Sequence, residues 1–217
     1  VIAFNKGQQS VTASTASIVI ATVPILTALL AQFIYKEHLN NFQWLAIGIE
    51  FAGVAVLTLI NGIFSINKGL LWLLLAALVL SIYNLLQRKL TKTYTALQTS
   101  AFSIFFGTLL LAVFLPSSIK EVSLAPDIQL FYITMLGIFS SAIAYVTWSI
   151  AIAKAKQTSQ VSNYMFITPF LTSIIGFLMT DEIPEQSTLI GGAIILFGVV
   201  VFNFGDKLFK KLLTVSF

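Results

Sequence analysis

The chain has 217 residues, 58% of them apolar and 9% charged, with a formal net charge of +4. Soluble domains average about 45–50% apolar and about 25% charged residues, so this chain cannot build a polar surface, and composition excludes a soluble globule, a disordered chain and a nucleic-acid binder. It has no cysteine and a single histidine, His38, which excludes disulfides, thiolate catalysis, clustered Cys or His metal sites and a Ser-His-Asp hydrolase.

A helix that crosses a bilayer needs about 20 mostly apolar residues, and the gaps between charged side chains supply seven such stretches, A to G. Span A covers 12–35. It contains Pro24, and its Ser14, Ser17 and Thr22 are small residues suited to close helix packing. Span B, 42–62, holds one formal charge, Glu50, and runs out at Asn61-Gly62. An acid in hydrocarbon costs about 2.5 kcal/mol or more, so Glu50 is a candidate for proton coupling; the competing reading is a packing or dimer contact. Span C, 69–88, includes Leu70-Leu71-Trp72-Leu73-Leu74-Leu75, which lacks the alternation of a barrel strand. It carries Asn84, with Tyr83 and Gln87 close by. Span D, 96–115, stops at Pro116-Ser117-Ser118, a turn signal.

Span E, 130–152, places Ser141, Tyr145, Trp148 and Ile152 at i, i+4, i+7 and i+11, which is one helical face. The Tyr and Trp rings can stack on a planar or apolar metabolite; the competing reading is a core stripe. Span F, 158–180, carries Gln160, Asn163, Tyr164, Thr168 and Pro169. Polar groups of this kind bond either a ligand or a neighbouring helix. Acidic Asp181, Glu182 and Glu185 lead to span G, 187–205, and to the basic tail 207–217 with Lys207, Lys210 and Lys211. Proline has no N–H, so Pro24 and Pro169 free the carbonyls of Ile20 and Met165 and are expected to kink spans A and F. Glu37 and Glu182, at helix ends, are expected to bond free backbone N–H groups. Gly53 and Gly198 are expected to permit close helix approach. There is no phosphate-binding G-x-x-x-x-G-K-[ST] motif and no room for an ATPase domain. No enzyme, cofactor or metal site is expected, and energy must come from a gradient.

Seven spans put the two ends on opposite sides of the membrane. One side collects Lys36, Arg88, Lys89, Lys92, Lys154, Lys156, Lys207, Lys210 and Lys211; the other collects Lys6, Lys68 and Lys120. The positive-inside rule then makes the C-terminus cytoplasmic and the acidic F–G turn external.

Shifting the chain by 145 positions superposes Pro24 on Pro169, Leu26-Thr27 on Leu171-Thr172, Glu37 on Glu182, Ile49 on Ile194, Gly53-Val54 on Gly198-Val199 and Val56 on Val201. Spans A–B thus match F–G. Because A falls on F five spans later, the copies cross in opposite senses, as in the inverted-topology repeats of secondary transporters. The expected organisation is residues 1–62 as the end of a first repeat, 63–206 as a second repeat and 207–217 as a tail. A complete first copy adds about 78 residues upstream and gives a bundle of about ten helices, of which this chain supplies seven. The fold class is an all-α polytopic membrane bundle. A seven-helix receptor also fits the span count, but it needs no internal repeat.

The stretch Pro24 to Leu39, P-I-L-T-A-L-L-A-Q-F-I-Y-K-E-H-L, is followed by A-I-G-I-E-F-A-G-V from Ala46. Its counterpart, P-F-L-T-S-I-I-G-F-L-M-T-D-E-I-P from Pro169, is followed by G-G-A-I-I-L-F-G-V from Gly191. Together with Ala144-Tyr145, Trp148 and Ala151, these stretches resemble the EamA family of the drug/metabolite transporter superfamily. The resemblance implies a secondary transporter of the bacterial cytoplasmic membrane that exports a small organic metabolite, such as an amino acid, by alternating access. Lipid-linked or nucleotide-sugar transport, or flipping, is the alternative within that superfamily. The resemblance also implies that span E lines the cavity, which makes Ser141, Tyr145 and Trp148 substrate-contact candidates beside the polar Asn84, Asn163 and Thr168 of spans C and F, and that span B is peripheral, where Glu50 departs from a usually apolar position. The partners expected are the metabolite, the bilayer, a coupling proton and a second copy of the chain.

Overall fold

The computed structural model describes residues 2–11, 13–59, 68–180 and 186–215. Among these the chain is helical, with no strand. Five helices are long and apolar enough to cross a membrane: Ala16–Tyr35, Lys68–Leu90, Ala96–Phe114, Asp127–Lys154 and Gln186–Gly205. The protein is therefore an all-α polytopic membrane protein. Its charge-poor sequence forces this outcome, because a backbone in lipid satisfies its own hydrogen bonds only as a helix or a closed barrel.

The elements in order are α1 (Ile2–Gln8), α2 (Ala13–Ile20), α3 (Val23–Tyr35), α4 (Asn41–Leu59), α5 (Lys68–Leu90), α6 (Ala96–Leu111), α7 (Leu115–Leu124), α8 (Asp127–Met135), α9 (Ala144–Lys154), α10 (Thr158–Asn163), α11 (Thr168–Thr180) and α12 (Gln186–Val215). Sequence sets several of the boundaries. Asn40 and Gln43 exchange side-chain and backbone bonds of 2.9 Å at the start of α4. Thr95 and Gln98 close the same reciprocal box on α6, a device that satisfies two otherwise orphaned N–H groups. Lys36 ends α3 in a left-handed conformation (φ 54°), and its N–H returns to the Ala31 carbonyl, as helix C-caps commonly do.

Span A is broken where Pro24 predicts. The chain turns at Ala21 and Thr22, with the Thr22 N–H and hydroxyl both on the Val19 carbonyl at 3.1 and 2.6 Å. Pro24 then sits in the first turn of α3, where its missing N–H costs nothing. Span F breaks in the same place. A 3₁₀ turn, Tyr164–Ile167, separates α10 from α11, and the Thr168 N–H donates to the Met165 carbonyl. The carbonyl that Pro169 deprives of its α-helical donor thus finds a 3₁₀ one.

Two features depart from the sequence reading. Pro116-Ser117-Ser118, read as a turn, opens helix α7; Pro116 stands at its first positions, where proline marks helix starts as readily as turns. Span E is not one regular helix either. Residues Leu136–Ile143 wind as a π-helix, with the Ala144 N–H reaching the Phe139 carbonyl five residues back.

The chain divides into two compact units. The first comprises Val1–Leu85 and Gln157–Phe217; the second comprises Leu86–Lys156. The core of the first lies along α4 and α12, around Ala21, Ala28, Ala46, Ile47, Val54, Phe166, Ile195 and Phe202. A smaller cluster joins Ala16, Val19 and Leu73, with Phe4, Val11 and Leu70 against it. Lipid tails are as apolar as leucine, so helices associate here through close van der Waals contact rather than water exclusion, and small residues at the crossing matter most. A Cβ built on Gly53 would meet Ile195 Cγ1 at 2.8 Å and the Gly191 carbonyl at 2.9 Å; one built on Gly198 would run into Glu50 Cγ, with the Ala46 carbonyl at 3.2 Å.

Those contacts obey the 145-residue shift. Gly53 corresponds to Gly198, Glu50 to Ile195 and Ala46 to Gly191. Gly53 meets Ile195 and Gly191; Gly198 meets Glu50 and Ala46. Each residue touches the counterpart of what its own counterpart touches, which is the signature of a two-fold contact. Within the first unit, α4 and α12 therefore cross about a pseudo-two-fold axis.

Candidate functional site

The α4–α12 crossing buries a carboxylic acid. Glu50 is fully shut off from the surface, the only charged residue type among the buried polar residues described. It packs on α12 of its own chain at Gly198, so it is an internal contact and not a face for a second copy. Its Oε1 accepts a hydrogen bond of 2.9 Å from Asn163 Nδ2. Asn163, the last residue of α10, stands at the break ahead of Pro169 and is 1% exposed. The symmetric position to this polar pair is apolar: Ile195 replaces Glu50 and Ile18 replaces Asn163, with Ile18 packed on the cluster that contains Ile195.

A second buried polar group joins α3 to α5. Asn84 Nδ2 donates to Thr27 Oγ1 at 3.3 Å, and Ser81 Oγ lies 3.2 Å from the Val23 carbonyl and 2.8 Å from that of Ala77. Thr27, Ser81 and Asn84 are all buried. The Val23 carbonyl belongs to the first turn after the break, so Ser81 bonds backbone close to where proline interrupts the ladder. Thr27 and Ser81 escape sequence reasoning, because a lone hydroxyl in a helix reads as self-bonded. The one available clue is that Thr27 belongs to the repeated Leu-Thr pair.

Glu37 links the end of α3 to the start of α10. Its carboxylate accepts from the Thr158 N–H at 2.9 Å on both oxygens, from the Ser159 N–H at 3.3 Å and from the two hydroxyls at 2.9 and 3.2 Å. Beside it, Gln157 Nε2 donates to the His38 carbonyl at 3.1 Å. Glu37 thus caps a helix 121 positions away instead of its own turn. Glu182, its repeat counterpart, lies outside the described residues, and the side chains of Lys207, Lys210, Lys211 and Ser14 do as well.

Of the candidate substrate contacts, Asn84, Asn163 and Thr168 lie in the first unit. Thr168 is exposed at the start of α11, directly before Pro169. Ser141, Tyr145 and Trp148 belong to the second unit. Ser141 and Tyr145 are exposed and Trp148 is half-buried, with Ile152 buried below them. Because Ser141 lies in the π-helix, α-helical counting does not place it on the Tyr145–Trp148 face. In the same unit, Ser100 Oγ lies 3.1 Å from the Tyr145 carbonyl and 2.7 Å from Ser149 Oγ, bonds that join α6 to α9. Arg88 donates to the carbonyls of Ile152, Ala155 and Lys156 at 2.6–2.7 Å. It satisfies the open end of α9 and complements its dipole. Read from sequence only as an inside-positive residue, Arg88 is a clamp. No group of three or more His, Cys, Asp or Glu residues able to hold a metal occurs among the described residues.

A broken helix pair, a pseudo-two-fold crossing and a buried acid inside an apolar bundle form a transporter-like arrangement. The model of the EamA-like transporter family matches residues 1–59 and 67–204. The chain belongs to the EamA-like transporter family. That membership displaces the seven-helix receptor reading. One relative of this EamA-like chain, the uncharacterized transporter YdfC of Bacillus subtilis (strain 168), is 33% identical over 199 residues, covering 91% of this chain and 65% of its own length. The probable terminal-alkyne amino-acid exporter of Streptantibioticus cattleyicolor is 28% identical over 202 residues, covering 93% and 68%. The S-adenosylmethionine uptake transporter of Rickettsia bellii (strain RML369-C) is 22% identical over 195 residues, covering 89% and 65%. This EamA-like chain spans about two thirds of the length of these relatives. A solved crystal structure matches with a TM-score of 0.72 at 20% identity, over 92% of this chain and 70% of that one, a likeness of fold. The family and these relatives are transporters, not enzymes.

Proposed function

We propose that this chain is the larger part of a secondary transporter that exports a small organic metabolite, an amino acid or a close relative, by alternating access. The observation that carries the reading is the equivalent breaking of two helices, at Ala21–Thr22 ahead of Pro24 and at Tyr164–Ile167 ahead of Pro169, around a pseudo-two-fold crossing of α4 and α12. Discontinuous helices at the junction of inverted repeats are where such transporters hold substrate and where one half rocks against the other. Repeat boundaries near residues 62 and 63 go with this reading, with 207–217 as a basic tail.

The amino-acid class and outward direction follow the similarity to the probable terminal-alkyne amino-acid exporter, which is stronger than that to the uptake transporter. Asn84, Asn163 and Thr168 are the proposed substrate contacts of the first unit; Ser141, Tyr145 and Trp148, taken by themselves, are those of the second. The rings of Tyr145 and Trp148 supply apolar and stacking surface, and Glu50 carries the coupling proton. The lysine and arginine distribution orients the C-terminus toward the cytoplasm of the bacterial inner membrane. Metabolite profiling of cells with and without the full-length gene tests the proposal. One class of amino-acid-like metabolite accumulates inside cells that lack it, and Trp148→Ala reproduces that accumulation at normal membrane levels of the protein. Identical profiles refute the assignment.

A further inference from the structure

Glu50 and Asn163 share one hydrogen bond and leave one atom each without a partner. Asn163 Nδ2 donates to Glu50 Oε1 at 2.9 Å, while Glu50 Oε2 and Asn163 Oδ1 are buried with nothing to bond. An amide oxygen only accepts, and an ionised carboxylate only accepts. In that state the two leftover oxygens have no complement in each other, and buried acceptors left unmade are costly.

The surroundings offer no other remedy. The sequences of α2, α4 and α10 hold no cation, and α12 holds none before Lys207. Along α4, Glu50 is the only charged residue, and α2 and α10 have none. Charged residues on α12 start at Asp206, two turns past Gly198. The 3₁₀ turn packed against α4 carries one phenol, Tyr164, whose hydroxyl donates to Asn203 Oδ1 at 3.4 Å and not to Glu50. One added proton turns Oε2 into a donor, which is the complement that the Asn163 oxygen lacks.

We propose that Glu50 and Asn163 form a proton-binding site whose occupied form is a closed acid–amide pair, with the proton on Glu50 Oε2 donated to Asn163 Oδ1 alongside the existing Nδ2–H to Oε1 bond. Loading takes one proton from water and forms one O–H bond. On release that bond breaks, its electron pair stays on Oε2, and the proton returns to water. The carboxylate left behind faces the Asn163 oxygen and repels it. Asn163 is the residue on which α10 gives way to the 3₁₀ turn before Pro169, so release pushes on the break itself. That last step, from proton to helix break, rests on the transporter reading above; the proton site does not.

The test separates the two. Infrared difference spectra of the purified full-length protein at neutral pH should show the C=O stretch of a protonated carboxyl that shifts in D₂O. The band should vanish in Glu50→Gln, whose amide can close the same two-bond ring and keep the fold, and it should move to higher frequency in Asn163→Leu, which removes the acceptor. Finding only ionised carboxylate, or a protonated band that survives Glu50→Gln, overturns the site. The D₂O measurement on the unaltered protein decides even if a variant fails to fold. In vesicles, substrate flux through the unaltered protein should respond to an imposed pH gradient, and Glu50→Gln should lose that response. A retained response overturns the coupling while leaving the spectroscopic site intact. Absence of flux in both proteins counts against the transporter reading alone.

Discussion

Gly198 shows how a single missing side chain positions an acid. The crossing of α4 and α12 leaves room for a hydrogen there and nothing larger, since a Cβ would run into Glu50 Cγ. Overpacking a close contact costs about 1–3 kcal/mol. Gly198→Leu should therefore lower the thermal midpoint of the purified protein, whereas Gly48→Leu on α4, where a Cβ meets nothing within 4 Å, should leave it in place. Equal effects from the two would mean that the crossing is not tightly packed. Glu50 and Gly198 stand out in the sequence for chemical reasons, one as a charge inside an apolar run and the other as a repeated glycine. Their contact does not, because it depends on how two distant helices pack. The same holds for Asn163, which is 113 positions from Glu50. As an isolated amide in an apolar span it reads as a ligand for substrate; in the fold its Nδ2 also bonds the acid.

At the scale of elements, composition locates the helices well and their internal geometry poorly. The charge gaps place each stretch within a few residues, and the prolines mark both breaks, because a missing N–H is a local, unavoidable defect. The form of the repair was not legible: a backbone turn fastened by the Thr22 hydroxyl in one copy and a 3₁₀ turn in the other. The π-helix at Leu136–Ile143 has no proline to announce it. Helix α7 was missed because a Pro-Ser-Ser signal is shared by turns and helix starts. If the break at Tyr164–Ile167 is the moving part, Pro169→Ala should restore continuous helix across 158–180 and slow transport several-fold while membrane levels stay unchanged. Unaltered flux would make the break a static kink.

At the scale of the whole molecule, the low charge count has two consequences. It dictates helices through the absence of water, and it makes each remaining charge informative. Glu37 ties α3 to α10 and Arg88 closes the end of α9, so polar side chains here fasten backbone ends. The 145-residue shift, found from a handful of identities, reappears as the reciprocal contacts Gly53–Ile195 and Gly198–Glu50. At the crossing the polar pair has no symmetric counterpart, since Ile18 and Ile195 stand at the equivalent positions, so a proton bound as proposed acts on one half. Inverted repeats with broken helices and, among the described residues, one buried acid support the proposal of a gradient-driven transporter. The most direct measurement is flux in vesicles reconstituted with the full-length protein, loaded with labelled amino acids and given an ion or pH gradient but no ATP. The expected result is gradient-driven loss of at least one labelled amino acid that Trp148→Ala reduces severely. Loss equal to that from protein-free vesicles for every amino acid and every gradient would contradict the proposed export.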